Sequence, residues 1–467
     1  MDISQEFTNE FQGLLGKGKN AEANFYLEKI VLDSLSLMTT FYFYTQDKQE
    51  LAIKCLKLAC EIDKGNYVLR SNLSHLLNSL ERFEEAVPEA LQSVKLSDSK
   101  DIGALLNCAV IMNNSGRVKD AISCYRNLLE LQDDLKTRYN LACCLLHDGQ
   151  FKEGWAYYES RLQAFDITVN FEKRLTAPHW QGEDLSDKTL LVYSEQGIGD
   201  LFMFCRYLPE LSKICPKIIL ECQNSTVKLM QYNFPNITVV GRPDSSMPSP
   251  PSADFCVSIC SLPYKLGNDT PGGTPYLSTS QNAVNLPQGN FKVGICWAGN
   301  PDHNHDYIRT CSFKYLKPLA NIPNVTFYDF QKDKFPKRIW KYKEVNPHEG
   351  LEDFPLIDIT SHLNNFYDTS VYLKQMDLVI TIDTAVAHLA GALGVPVWMM
   401  VASIPDWRWT QKYPSRSIWY RSMKIYRQST LHDWKGVVSK IFDALCLTSN
   451  ETNLSKGIES RTSLIDT

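Results

Sequence analysis

The chain has 467 residues, 44% of them hydrophobic and 22% charged, which excludes a wholly disordered or fibrous protein and, at about 150 residues per domain, points to several domains. Its 48 basic and 53 acidic residues leave a net charge of −5, too little positive field for a protein that grips a polyanion, so nucleic acid is not an expected partner. Met1 to Phe11 carries acids and no apolar run, and the apolar runs at Leu190–Tyr193, Ile218–Leu220 and Val395–Val401 fall far short of the roughly 18 residues of a membrane span. A soluble, cytoplasmic protein is expected, its fourteen cysteines reduced and packed in apolar segments. Neither Cys143-Cys144 nor the pair Cys256 and Cys260 has a second pair at zinc-ligand spacing, so no metal site is expected.

The first third repeats itself. Asn72, Asn107 and Asn140 open similar stretches, which lead into turns at Glu81-Arg82-Phe83, Gly116-Arg117-Val118 and Gly149-Gln150-Phe151. Second helices follow with Ala86, Ala121 or Gly154 near their starts, small residues that let paired helices approach closely. A further unit fits upstream at Leu51–Lys54, and a degenerate one over Ala21–Ile30. The period resembles that of tetratricopeptide repeats, which stack helix pairs around a concave face, and residues 1–165 are assigned to it.

Around Leu162–Leu185 the helical period fades into a loop with Pro178, Trp180 and Gly182. Thr189–Tyr193 and Lys217–Glu221 then read as buried strands on either side of a helix at Leu201–Leu211, and the alternation restarts at Phe291–Trp297, continuing through Val325–Tyr328, Leu378–Thr381 and Val395–Met399. Such alternation predicts two consecutive α/β domains with parallel sheets, over 186–285 and 290–447, separated by a Pro- and Ser-rich loop at Pro243–Pro251. The polar residues 448–467 are expected to be a frayed tail. The basic stretch Lys332–Lys343 reads as a solvated helix face.

Two strand ends carry candidate chemistry. Ser194-Glu195-Gln196-Gly197-Ile198-Gly199-Asp200 follows the first strand; Gly197 and Gly199 permit a tight turn and close ligand approach, and Asp200 faces the crevice at the carboxyl edge. Alone, the motif is as readily a structural turn capped by an aspartate, and it lacks the third glycine of a dinucleotide fingerprint. The second block, Asp383-Thr384-Ala385-Val386-Ala387-His388, opens a helix whose N-terminal amides suit a diphosphate. A lone histidine on such a helix is ordinarily a satisfied core residue; the strand-edge Asp-Thr pair beside it favours a functional one. The block Trp407-Arg408-Trp409, with Trp419 and Tyr420, reads as core or interface packing in preference to a stacking surface.

Together these motifs resemble the heptosyltransferase-like glycosyltransferases of family 9. Phe204-Cys205-Arg206-Tyr207, Ser261-Leu262-Pro263, Trp297-Ala298-Gly299-Asn300 and Pro405-Asp406-Trp407-Arg408-Trp409 look like the subgroup fused to tetratricopeptide repeats, and the resemblance spans residues 40–440. It implies helical repeats followed by two Rossmann-like domains, the GT-B fold. It also implies inverting, metal-independent sugar transfer from a nucleotide-diphosphate sugar, with no cofactor, to a hydroxyl on a protein or glycan acceptor presented by the repeats. By the resemblance Asp200 is the general base, and Gly197, Gly199, Asn300, Arg309, Ser312, Asp383, Thr384, Ala385 and His388 bind substrate. Ala385 stands where many members have glycine.

Two other readings stay open: an interaction scaffold of repeats with a non-catalytic GT-B domain, and a nucleotide-binding regulator or epimerase, which would need no base at Asp200.

Overall fold

The structure, a computed structural model, describes residues 3–44, 48–165, 171, 173–242, 250–267, 272–280, 284, 286–287, 290–303, 306–332, 334, 338–340 and 343–462. The chain forms two compact units, Met1–Cys144 and Leu145–Thr467. Among the described residues no helix is long and apolar enough to cross a membrane.

The first unit is helical: α1 (Ile3–Gly16), α2 (Asn20–Tyr44), α3 (Gln49–Ile62), α4 (Tyr67–Ser79), α5 (Phe83–Leu96), α6 (Ile102–Asn114), α7 (Val118–Leu131) and most of α8 (Leu135–Asp148), with α9 (Phe151–Tyr158) next in the chain. The expected repeat is visible in backbone geometry. Glu81, Gly116 and Gly149 hold φ of 63°, 77° and 82°, the left-handed conformation that closes a helix. In each case the next amide reaches back five residues: Arg82 to Leu77, Arg117 to Met112, Gln150 to Leu145, at 2.8 to 2.9 Å. The small residues do what was expected of them. Ala86 and Ala121 are fully buried, and a Cβ on Gly154 would stand 2.9 Å from the Leu146 side chain.

The repeat boundary expected at 165 falls earlier. Helix α9 and the single turn α10 (Arg161–Ala164) belong to the second unit because their side chains are its core. Trp155 packs edge-on against Phe204, Trp407 and Trp419 at 5.8, 5.6 and 6.4 Å, and all four rings are buried.

The second unit contains two all-parallel sheets. The first has β1 (Thr189–Tyr193), β2 (Lys217–Gln223), β3 (Thr238–Arg242) and β4 (Phe255–Ser258), in the order β3-β2-β1-β4. The second has β5 (Phe291–Cys296), β6 (Val325–Asp329), β9 (Leu356–Asp358), β10 (Leu378–Ile382), β11 (Val397–Val401) and β12 (Met423–Arg427), in the order β12-β11-β10-β5-β6-β9. Strands β1 and β10 are apolar and almost wholly buried, as continuous runs in parallel sheets are. Strand order reverses between β1 and β4 and between β5 and β10, so the segments following β1 and β10 leave their sheets where ligands of open α/β sheets bind. These segments open α11 (Ile198–Phe204) and, after α12 (Val227–Asn233) and α13 (Phe366–Leu373), α14 (Ala385–Ala392).

Three expectations need correction or restriction. The basic stretch Lys332–Lys343 is not a helix: β7 (Arg338–Trp340) and β8 (Lys343–Val345) pair as an antiparallel hairpin, and residues 333, 335–337 and 341–342 lie outside the described residues. The tail does not begin at 448, because α15 runs Trp434–Thr462, anchored by buried Trp434, Val437, Val438, Ile441 and Leu445; residues 463–467 lie outside the described ones. Of the Pro- and Ser-rich loop, 243–249 likewise lies outside them.

Candidate active site

Helix α11 begins at Gly197, whose extended φ and ψ of −65° and 162° make it the N-cap, and Asp200 falls in the first turn, where a carboxylate suits the helix dipole. Asp200 Oδ1 accepts from Nη2 of Arg408. Arg408 is 8% exposed, is braced by Asp406 Oδ1 at 2.6 Å, and stacks on the Trp407 ring at 4.1 Å. Burial disfavours its charge, but Asp200 and Asp406 outweigh burial and push its pKa well above the ordinary value. Inside a block of tryptophans the cation stands because two acids meet it.

Helix α14 faces α11 directly. A Cβ on Gly199 would lie 2.8 Å from Cδ2 of His388 and 3.4 Å from its Nε2, so only glycine admits the ring so close to the α11 backbone. His388 is 4% exposed. Its Nδ1 is 2.7 Å from the Tyr420 hydroxyl and its Nε2 is 3.6 Å from Asp383 Oδ1. Burial, with the neighbouring Tyr276, holds the Tyr420 hydroxyl well above its ordinary pKa against the opposing Arg206. Nδ1 thus shares a hydrogen bond with the Tyr420 hydroxyl, and Nε2 faces the Asp383 carboxylate. Burial opposes ionisation of Asp383, yet His388 and Arg309 outweigh it, and the carboxyl sits well below the usual range.

Arg309 joins the loop after β5 to this corner. Its Nη1 donates to the Asp383 carbonyl at 3.3 Å and its Nη2 to the Asn300 carbonyl at 3.5 Å. A Cβ on Gly299 would lie 2.5 Å from Nη2, so the glycine of Trp297-Ala298-Gly299-Asn300 makes room for the guanidinium. Asn300 meets Arg309 through its backbone; its side chain accepts from the Asp302 amide at 3.0 Å. Thr384 is the N-cap of α14, but its hydroxyl makes no capping bond. It turns back to Thr381 Oγ1 at 3.2 Å, leaving the first amides of α14 without a side-chain cap. Asp383, Thr384 and Ala385 are part-exposed between buried strand and buried helix, so the corner opens to solvent there.

The structure thus brings Gly199, Asp383, His388, Asn300 and Arg309 into one connected group, with Gly197 and Asp200 on the same turn as Gly199. Ser312 stands apart. It is 6% exposed, and its hydroxyl has no hydrogen-bond partner. Arg408, against Asp200, and Tyr420, against His388, are neighbours that sequence reasoning treated as packing. The legible signal was an arginine between two tryptophans, since a buried cation requires an acid. Among the described residues no group of three or more His, Cys, Asp or Glu side chains could hold a metal ion.

No family model matches the chain. Protein FlbA of Caulobacter vibrioides is 24% identical over 444 residues, covering 85% of this chain and 70% of that protein; its name states no activity. The iron-containing dodecameric glycosyltransferase TibC from enterotoxigenic E. coli aligns over 59% of this chain and 78% of its own, with TM-score 0.39 and 11% identity. YrrB, described as a TPR protein with an unusual peptide-binding site, aligns over 36% of this chain and 91% of its own, with TM-score 0.28 and 16% identity. Both structural likenesses are too distant to assign a fold or an activity.

Proposed function

We propose that the chain is a GT-B glycosyltransferase that transfers a sugar from a nucleotide-diphosphate sugar to an acceptor hydroxyl on a protein or glycan, with inversion and without a metal. The observation that supports this reading most is the contact of Gly199 with His388: the candidate base and the candidate donor clamp occupy one corner between two sheet edges.

In this reading the acceptor hydroxyl attacks the anomeric carbon while its proton passes to Asp200. Arg408 engages Oδ1, so Oδ2 is the oxygen that takes the proton, and positioned carboxylates contribute about 10² to 10⁴-fold by such a transfer. The bond from the anomeric carbon to the diphosphate oxygen breaks, and nucleoside diphosphate leaves with the electron pair. The uncapped amides of α14 and the Arg309 guanidinium meet the developing charge, the role a metal plays elsewhere. His388, fixed by Tyr420 and Asp383, holds the donor. Ser312, which the resemblance also places on the donor, is buried with its hydroxyl unpartnered.

One observation favours the scaffold reading: Asp200 is engaged by Arg408, as a structural aspartate is. A thermal-shift panel of ADP-, UDP-, GDP- and dTDP-sugars separates the two, because a ligand of the folded state raises its melting temperature. The transferase reading expects one nucleotide family to stabilise the chain and to lose that effect in His388→Ala; no shift with any of them favours the scaffold.

A further inference from the structure

Two thiols that the transfer chemistry leaves unused meet inside the helical unit. Cys108 of α6 and Cys124 of α7 face each other across the hairpin that turns at Gly116, their Sγ atoms 3.9 Å apart. At that separation no other atom fits between them. Closing to a sulfur–sulfur bond takes about 2 Å, shared between two side-chain torsions.

The two differ in depth and in acidity. Cys108 is fully buried on the apolar face of α6, with Ala104, Leu105, Ile111 and Met112. Cys124 is part-exposed and follows exposed Ser123, so a small solute meets Cys124 first. The hydrogen bond shared with Cys108 holds the Cys124 thiol below its ordinary pKa, against burial and the charge of Asp120, while the same bond and burial raise the Cys108 thiol. The thiolate is the nucleophile of sulfur chemistry. One sulfur is therefore placed to react first, and its neighbour is placed to resolve the product.

The surrounding backbone keeps the pair together. The turn is closed by the Arg117 amide on the Met112 carbonyl at 2.8 Å. Asn107, the residue before Cys108, ties α6 to α4 by donating to the Ser71 carbonyl and to Ser74 Oγ, both at 2.9 Å.

We propose that Cys124 and Cys108 are an oxidative modification site, converted by hydrogen peroxide to a disulfide that locks α6 to α7. The Cys124 thiolate attacks a peroxide oxygen, the O–O bond breaks, and hydroxide leaves and takes up the proton that the thiol released. Cys124 is then a sulfenic acid. The Cys108 sulfur attacks the Cys124 sulfur, the S–S bond forms, the S–O bond breaks, and the hydroxyl leaves as water with the Cys108 proton. Two thiols lose two electrons and two protons, and one peroxide becomes two waters. The site stands independently of the transferase reading.

The full chain, first reduced, is exposed to hydrogen peroxide under native conditions, alkylated in denaturant and mapped by mass spectrometry. The expected result is the loss of two alkylation sites, a cross-linked peptide pair that contains Cys108 and Cys124 and forms before any other cysteine is oxidised, and full reversal by dithiothreitol. In Cys108→Ser, which lacks the resolving sulfur, Cys124 should remain a sulfenic acid that dimedone traps. The guanidinium midpoint of the helical unit should rise on oxidation of the wild type and stay unchanged on the same treatment of Cys124→Ser. Earlier oxidation or cross-linking at another cysteine, a Cys124 sulfenic acid that persists in the wild type, or a midpoint that falls on oxidation overturns the proposal. Mapping of the wild type needs no variant, so a serine variant that failed to fold would not shield the proposal from refutation.

Discussion

Gly199 lies against the His388 ring so closely that a methyl group there would stand 2.8 Å from Cδ2. The two helix starts therefore read each other: the length of the α11 side chain at this position sets how far α14 sits from it. Gly199→Ala should cost about 1 to 3 kcal/mol as an overpacked contact, despite the better helix propensity of alanine. In a His388→Ala background the same change should be neutral or stabilising, a non-additivity that urea denaturation of the four variants of the cycle measures. If the two changes simply add, the helices do not touch at this point.

His147 gives the second unit a pH dependence of known sign. Burial first, and then the charge of Arg427, lower its pKa from 6.5 to about 4, and its Nε2 accepts the Gln411 amide at 3.3 Å. A histidine held neutral in the fold stabilises it fully above pH 6.5; below that the unfolded chain takes up the proton first, and stability is lost as pH falls toward 4. The loss should reach roughly 3 kcal/mol. His147→Gln removes the titrating ring, and comparing its unfolding midpoint with that of the wild type at pH 7.5 and pH 4.5 should show a shallower fall in the variant. Parallel falls would place the dependence on other groups.

The repeat turns make a third prediction. Glu81 occupies the left-handed conformation that glycine fills at 116 and 149, at a cost of about 1 kcal/mol for a side chain. Glu81→Gly should raise the stability of the helical unit by up to about 1 kcal/mol, read as an upward shift in its guanidinium midpoint, whereas Gly116→Glu should lower it. A fall with Glu81→Gly would mean that the glutamate side chain contributes more than its backbone costs.

Local sequence carried much of this molecule. The repeat is legible because the turns at 81, 116 and 149 use the same backbone solution, and β1 and β10 because buried parallel strands are continuous apolar runs. The strand-edge positions of Asp200 and Asp383 follow from the same alternation. Three features resist such reading. The end of the helical unit is set by Trp155, whose partners Trp407 and Trp419 lie more than 250 residues away in the chain. The hairpin β7-β8 is short and charged, with no period to distinguish it from a helix face. The roles of Arg408 and Tyr420 depend on which acid and which imidazole the fold places against them, and no local pattern encodes that.

The central claim is that Asp200 and the Asp383–His388 block form one glycosyl-transfer site, and nucleoside diphosphate release from a panel of nucleotide-diphosphate sugars tests it most directly. Wild type should release diphosphate from one nucleotide family. Asp200→Asn, which keeps the shape of the side chain but cannot accept the proton, should lower the rate by about 10² to 10⁴-fold while donor affinity changes little. Release by Asp200→Asn at the wild-type rate, or none by wild type from any sugar nucleotide, would contradict the account.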